Sequence, residues 1–329
     1  MSRNVGLSRD AKTIFAVRSI RGFASGFGAL LLGTNFNHYG YGFLEVGVVL
    51  GVFVAGNVIM SLAVSKWSDR LGLRRSYILL FLVLAMSGFA LAFTDSLLVF
   101  VIVALTGTLS TDLTANGPFT SLEQSMLGRD LSGSHRISAF GIFNVIAALS
   151  ASLGALATSL PIVSHSGGTA PIAGQRFFLV LVPLALASAI VATSLSPKIE
   201  SILNAAGPRR RTGLERSKAT VLRLSALFAA DAFGGGFIVQ SFITYWFEVK
   251  FHVGIGTLGV AFFAIGILQS ASFVAATFFA KRIGLLRTYT NRHDGCILLL
   301  VHQNLSPQGT RPGPAPHPPG HNRFQPWDR

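Results

Sequence analysis

Eight apolar stretches, each long enough to cross ~30 Å of hydrocarbon as a helix of ~20 residues, recur along this chain, and no other feature constrains its fold as strongly. They lie at roughly 17–39, 44–64, 77–94, 97–117, 137–163, 177–195, 222–247 and 256–279. The strongest runs are Tyr77–Phe93, Phe177–Leu195 and Leu258–Phe279. The first stretch is the weakest, with Arg18 and Arg21 at its entry and Asn35 and Asn37 near its exit. It is too long and too polar for a signal-peptide core and reads as a retained helix. No segment shows the ten-residue alternation of a membrane barrel strand. The reading is an all-α polytopic membrane protein of about eight transmembrane helices. Composition agrees, because 50% of residues are apolar and only 12% charged, about half the charge of a soluble domain. Lone Cys296 can form no internal disulfide.

A net charge of +14 and a pI near 11 would point to nucleic acid in a soluble protein. The placement of the 27 Lys and Arg argues otherwise. All but Arg176 and Lys250 fall before the first span, at its entry, or in the loops after the second, fourth, sixth and eighth. Basic residues gather on the cytoplasmic side, so the N-terminus and the central loop are both expected inside a multi-pass protein of the cell (inner) membrane. The basic excess is then topology together with contact to anionic lipid, and no nucleic-acid partner is expected.

The segment 196–220 contains Gly207-Pro208-Arg209-Arg210-Arg211 and no apolar run. It divides the chain into a six-helix bundle at 1–195, a basic cytoplasmic linker at 196–220, and a partial second bundle of two helices at 221–287. An internal repeat supports two bundles. Ser68-Asp69-Arg70-Leu71-Gly72-Leu73-Arg74-Arg75 after the second span is echoed by Ala280-Lys281-Arg282-Ile283-Gly284-Leu285-Leu286-Arg287 after the eighth, at an offset of 212. The repeat demands a third helix near 289–306, where the sequence has instead a six-residue apolar run, Cys296–Val301, too short to span. Residues 288–329 are rich in Pro, His, Arg, Gln and Gly, a composition that predicts disorder. The expectation is a second bundle cut short with a non-native end; a natural disordered cytoplasmic tail is the alternative.

The segment Ser65-Lys66-Trp67-Ser68-Asp69-Arg70-Leu71-Gly72-Leu73-Arg74-Arg75 resembles the signature that the major facilitator superfamily carries between its second and third helices, G-x-x-x-D-R-x-G-R-R. Asp69, Arg70, Gly72 and the pair Arg74-Arg75 match; Ser65 stands where the family has Gly, and Leu73 moves the basic pair one residue on. The resemblance covers about 14–287. It implies a two-bundle fold, with Asp69 latching one bundle to the other. The family's arginine motif in the fourth helix and antiporter motif in the fifth are not recognisable here, since Thr106 stands near the expected arginine and 148–158 holds only Gly154.

Polar groups inside the spans supply the site candidates. Asp231 lies about ten residues into the seventh span, ~15 Å along a helix, where a carboxylate must be protonated, paired or facing a wet cavity. Gly234-Gly235-Gly236 follows and invites local unwinding, which would let Gln240 share a cavity with Asp231. A cavity or ion-coupling role competes with a helix–helix hydrogen bond. Asp112 and Asn116 share a face of the fourth span, unless that helix ends near Leu105 and leaves them interfacial. Asn57 and Ser61 share a face of the second span, and interhelical hydrogen bonding suits them best. Arg21 reads as a snorkelling anchor. No histidine spacing matches a metal site, and no cofactor is expected.

The resemblance and the buried polar groups together imply a secondary active transporter of a small solute, working by alternating access with optional proton coupling, and impaired by truncation. An inactive fragment or interaction protein that self-associates is the alternative. A membrane enzyme is disfavoured, because no G-x-S-x-G, H-E-x-x-H or P-loop is present.

Overall fold

Ser8 begins the first helix by accepting a hydrogen bond from the Ala11 amide at 3.0 Å, with Asp10 in the first turn. That cap starts α1 (Arg9–His38) well ahead of the expected residue 17. The computed structural model describes residues 8–109, 117–130, 134–160, 175–196, 222–223, 225–226 and 239–283. After α1 come α2 (Phe43–Leu71), α3 (Leu73–Phe93), α4 (Leu97–Leu105), α5 (Pro118–Asp130) and α6 (Ser134–Ala157). A 3₁₀ turn, Phe177–Val180, runs into α7 (Leu181–Ala192), and α8 (Gln240–Phe251) and α9 (Ile255–Ile283) follow. Among the described residues helix is the only regular structure, as the hydropathy pattern implies.

Five helices, α1, α2, α3, α6 and α9, are long and apolar enough to cross a membrane, and Phe177–Ala192 is a shorter apolar helix. Helix α2 leaves Leu44, Val48, Val58, Ile59 and Leu62 exposed, and α9 leaves Leu268 and Val274 exposed. Such rows are costly in water and stable against lipid tails. Helix α1 is the opposite case. It is buried along most of its length, which places it at the centre of the bundle against α5, α6, α7 and α8.

Small residues set how closely the backbones approach. A Cβ on Gly26 would lie 2.9 Å from the Cα of Ala151, and one on Gly154 2.9 Å from the Phe27 amide nitrogen, so α1 and α6 touch backbone to backbone. Gly72 joins α2 to α3 as a single residue with φ 89°, a conformation that only glycine adopts without strain, so the two helices meet with no intervening loop.

The helices alternate in direction between two ends. At one end the Ser196 amide donates to the Asp10 carboxylate at 2.9 Å, which brings the start of α1 to the start of the central segment. The turn at Gly72 belongs to this end, because Glu123 of α5 joins Arg18 and Arg21 near the start of α1 to Tyr77 near the start of α3. At the other, Tyr41 donates to the carbonyl of Asp95, and Gln175 donates to the carbonyl of Leu91 at 3.1 Å.

Two span boundaries need correction. The fourth span was expected as one helix over 97–117; α4 stops at Leu105, and Gly107 turns the chain with φ 57°. A further helix, α5, begins on Pro118, a residue suited to a first helical turn because the missing amide has no helical partner there. The hydropathy reading treated that stretch as loop, because Glu123, Gln124, Arg129 and Asp130 depress its mean. The seventh span was expected over 222–247. Val239 is extended, with ψ 148°, and α8 starts only at Gln240 and runs on to Phe251.

Candidate functional site

Arg18 and Arg21 lie three residues apart on one face of α1 and turn into the bundle, not toward a lipid interface. This corrects the reading of Arg21 as a snorkelling anchor. Its side chain is only 5% exposed, and it forks onto a carboxylate on α5. Nε donates to Oε1 of Glu123 at 3.1 Å and Nη2 donates to Oε2 at 2.7 Å, a bidentate geometry that Lys cannot reproduce. Arg18 Nη1 donates to Oε2 of Glu123 at 3.3 Å and to the Thr120 hydroxyl at 3.1 Å. Tyr77 on α3 donates its phenol to Oε1 of Glu123 at 2.6 Å. The guanidinium of Arg18 sits 4.4 Å from the Phe143 ring centroid on α6, and that of Arg21 sits 5.1 Å from Phe119.

Fully buried Glu123 thus accepts from two guanidinium groups of α1 and a phenol of α3, while the Thr120 hydroxyl of α5 accepts from both arginines and the Phe143 ring of α6 packs on Arg18. Burying an unpaired charge in a membrane interior is costly, so each member depends on the others. Sequence reasoning missed Glu123 entirely, because it lay beyond the apparent end of the fourth span. The spacing of Thr120 and Glu123, three apart after a Gly-Pro helix start, opposite an equally spaced Arg pair, was the available signal.

A second polar feature runs along the contact of α1 with α8. Ser241 donates to the Ala29 carbonyl at 2.9 Å, and a Cβ on Gly33 would lie 2.5 Å from the Ser241 carbonyl oxygen and 2.7 Å from Thr244 Cβ. Beside this contact Gln240 is 2% exposed, yet neither atom of its amide has a hydrogen-bond partner among the described residues. Asn35 donates to the Leu31 carbonyl at 2.8 Å, while its own amide oxygen is without a partner among the described residues. Unsatisfied polar atoms at that depth cost about 1–3 kcal/mol each unless something hydrogen-bonds to them. Along the neighbouring contact, a Cβ on Gly259 of α9 would lie 2.6 Å from the Ala155 carbonyl oxygen.

The other sequence candidates fall as follows. Asp231, Asp112 and Asn116 lie outside the described residues, and so do the three glycines after Asp231. The shared cavity expected for Asp231 and Gln240, and the shared helix face of Asp112 and Asn116, are therefore not described. Asn57 is half-buried on α2, with its Oδ1 2.6 Å from where a Cβ on Gly117 would stand, so it packs against the entry to α5. In the signature segment Asp69 belongs to the last turn of α2, with its side chain outside the described residues. Arg70 and Arg75 are exposed, Arg74 is half-buried, and Gly72 makes the turn. No group of three His, Cys, Asp or Glu side chains among the described residues is placed to hold a metal.

Long apolar helices that alternate between two ends, with charged and amide side chains turned inward, mark a multi-pass membrane protein. The sequence profile of the Major Facilitator Superfamily matches residues 14–300, and the chain belongs to that family. The match continues past Arg287, where the resemblance was expected to end. An uncharacterized membrane protein of Saccharomyces cerevisiae is 22% identical over 313 residues, covering 85% of this chain and 70% of the yeast protein. Among solved structures, the nucleoside transporter NupG aligns with a TM-score of 0.59 at 14% identity, over 87% of this chain and 69% of that one. At that identity the likeness concerns the fold alone.

Proposed function

We propose that this chain is a secondary active transporter that moves a small, polar, uncharged solute by alternating access, and that the solute binds where α8 begins beside α1. The observation that carries the reading is Gln240, an amide buried at a helix–helix contact with both polar atoms unsatisfied among the described residues. A solute offering one donor and one acceptor would complete it, and the open amide oxygen of Asn35 adds another acceptor on α1. A carboxylate or phosphate solute fits less well, since Arg18 and Arg21 of α1 are engaged by Glu123. In this reading the Glu123 cluster holds α1 rigid against α3, α5 and α6, so that α1 moves as one body with them.

Further parts of the proposal follow from the sequence. The chain divides at 196–220 into two helical blocks, the Gly72 end faces the cytoplasm, and Asp69 latches the blocks together at that end. Asp231 couples proton movement to transport, and Asp112, Asn116 and Asn57 are secondary candidates for lining the path. Self-association is expected wherever polar faces of the second block lack a partner within the chain.

The purified chain is to be screened by thermal shift against neutral polar solutes, nucleosides, hexoses and polyols among them, and hits followed by counterflow in proteoliposomes. One class should raise the melting temperature of the wild type and of Asp231→Asn but not of Gln240→Leu. Flux of that solute should depend on a pH gradient in the wild type and lose that dependence in Asp231→Asn. Stabilisation unchanged in Gln240→Leu would remove the α1–α8 contact as the site. Unchanged pH dependence in Asp231→Asn would return Asp231 to a structural role.

A further inference from the structure

At the end of the bundle opposite Gly72 a cavity of about 640 Å³ opens between the α1–α2 turn, the α3–α4 turn and the start of the segment leading into α7. That volume falls within the range of small-molecule sites. Its wall includes His38, Tyr39, Tyr41, Asp95 and Gln175. Among the described residues no Lys or Arg lines it. The tyrosines belong to an aromatic group that extends inward. Tyr39 and Tyr41 lie 5.8 Å apart by ring centroids, and Phe100 is 5.9 Å from the first and 6.2 Å, edge-on, from the second.

These contacts hold the rings in place, and two further bonds fix the wall. Tyr41 donates to the Asp95 carbonyl, and the Tyr41 carbonyl accepts from the Tyr245 phenol at 2.6 Å. The Tyr39 hydroxyl, by contrast, is buried without a partner among the described residues.

We propose that this cavity binds an organic cation of the alkylammonium class, attracted by the Tyr39 and Tyr41 rings together with the Asp95 carboxylate. Three properties of the wall select that chemistry. Electron-rich rings beside a carboxylate attract a diffuse cation at about 0.5–2 kcal/mol per ring. A metal ion is disfavoured, since no group of three His, Cys, Asp or Glu ligands converges among the described residues. An anion is disfavoured, since among the described residues the wall holds a carboxylate and no Lys or Arg. That carboxylate is felt at both phenols. Burial, then the Asp95 charge, holds Tyr39 above the usual tyrosine range; burial, Asp95 and then Glu45 do the same at Tyr41.

Gln240 is not among the described residues that line the cavity, and occupancy of the cavity does not depend on the transport reading. Binding is therefore measured directly.

The test uses the full chain in lipid nanodiscs and isothermal titration with tetraethylammonium, with glucose as the neutral probe and acetate as the anionic one. Saturable one-to-one binding of tetraethylammonium alone is expected. Asp95→Asn should weaken it about tenfold or more; Asp95 is exposed, and its carbonyl, not its carboxylate, holds Tyr41, so this variant should fold. Tyr39→Leu should weaken binding about fivefold, while Tyr39→Phe, which keeps the ring, should stay within about twofold. Absence of saturable binding would overturn the proposal, as would equal affinity in the wild type and Asp95→Asn. Glucose binding that ignores Asp95→Asn would also overturn it and assign the cavity to neutral polyols.

Discussion

Glu123→Gln is expected to cost more stability than any other single conservative substitution in this chain. The glutamine fills the same space, so no cavity forms, but the carboxylate that holds Arg18, Arg21 and Tyr77 is gone. Arginine does not give up its proton, so two guanidinium groups stay charged in a buried setting without a counter-ion. Removing one partner of such a group typically costs about 3–5 kcal/mol. At a few degrees per kcal/mol, the melting temperature in detergent should fall by on the order of 10 °C. The triple change of Arg18, Arg21 and Glu123 to methionine should recover much of that loss, because it removes the charges together. If Glu123→Gln melts within a degree or two of the wild type, the cluster is not holding α1 to α5, and the rigid-body role proposed for it fails with it.

The second large effect is steric. Gly26→Ala and Gly154→Ala each place a methyl group against backbone atoms of the partner helix, where no flexible side-chain end can move aside. Overpacking of this kind costs about 1–3 kcal/mol, and the pair acts on one contact, so the two losses should not simply add. The double variant is expected to lose most of its folded, monodisperse protein by size exclusion. Gly47→Ala and Gly51→Ala on α2 are the controls, because a Cβ there meets no atom of the described residues within 4 Å and alanine is the better helix former. They should be neutral or gain about 0.4–1 kcal/mol. Equal tolerance at all four positions would mean that α1 and α6 do not approach as closely as described.

Residues that do their work locally were readable from the chain itself. Hydropathy is a local sum, so α2, α3 and α9 lie where their apolar runs predict, to within a few residues at most ends. Gly72, a match in the signature segment, takes a φ of 89°, which glycine reaches without a Cβ penalty. The Asp69–Arg75 signature pointed to the family that the match over 14–300 establishes. Where local averages mislead, the reading failed. Glu123 and its polar neighbours lowered the hydropathy of α5 until it read as loop, and Arg21 read as a surface anchor because nothing near it in sequence has the opposite charge.

By itself, then, the sequence determined that this protein is a bundle of membrane-crossing helices, roughly where they begin and end, and to which superfamily it belongs. Tertiary structure alone decided which polar groups meet. Glu123 is more than a hundred residues from Arg18 and Arg21 and 46 from Tyr77, and no periodicity within one helix encodes such a meeting. The same holds for Ser241 against Ala29, 212 residues apart, and for the glycine faces that let α1 approach α6 and α8. The physical reason is that helix formation is satisfied within one segment, hydrogen bond by hydrogen bond. The cost of an unpaired charge or amide in a membrane interior is relieved only by a partner that another segment brings.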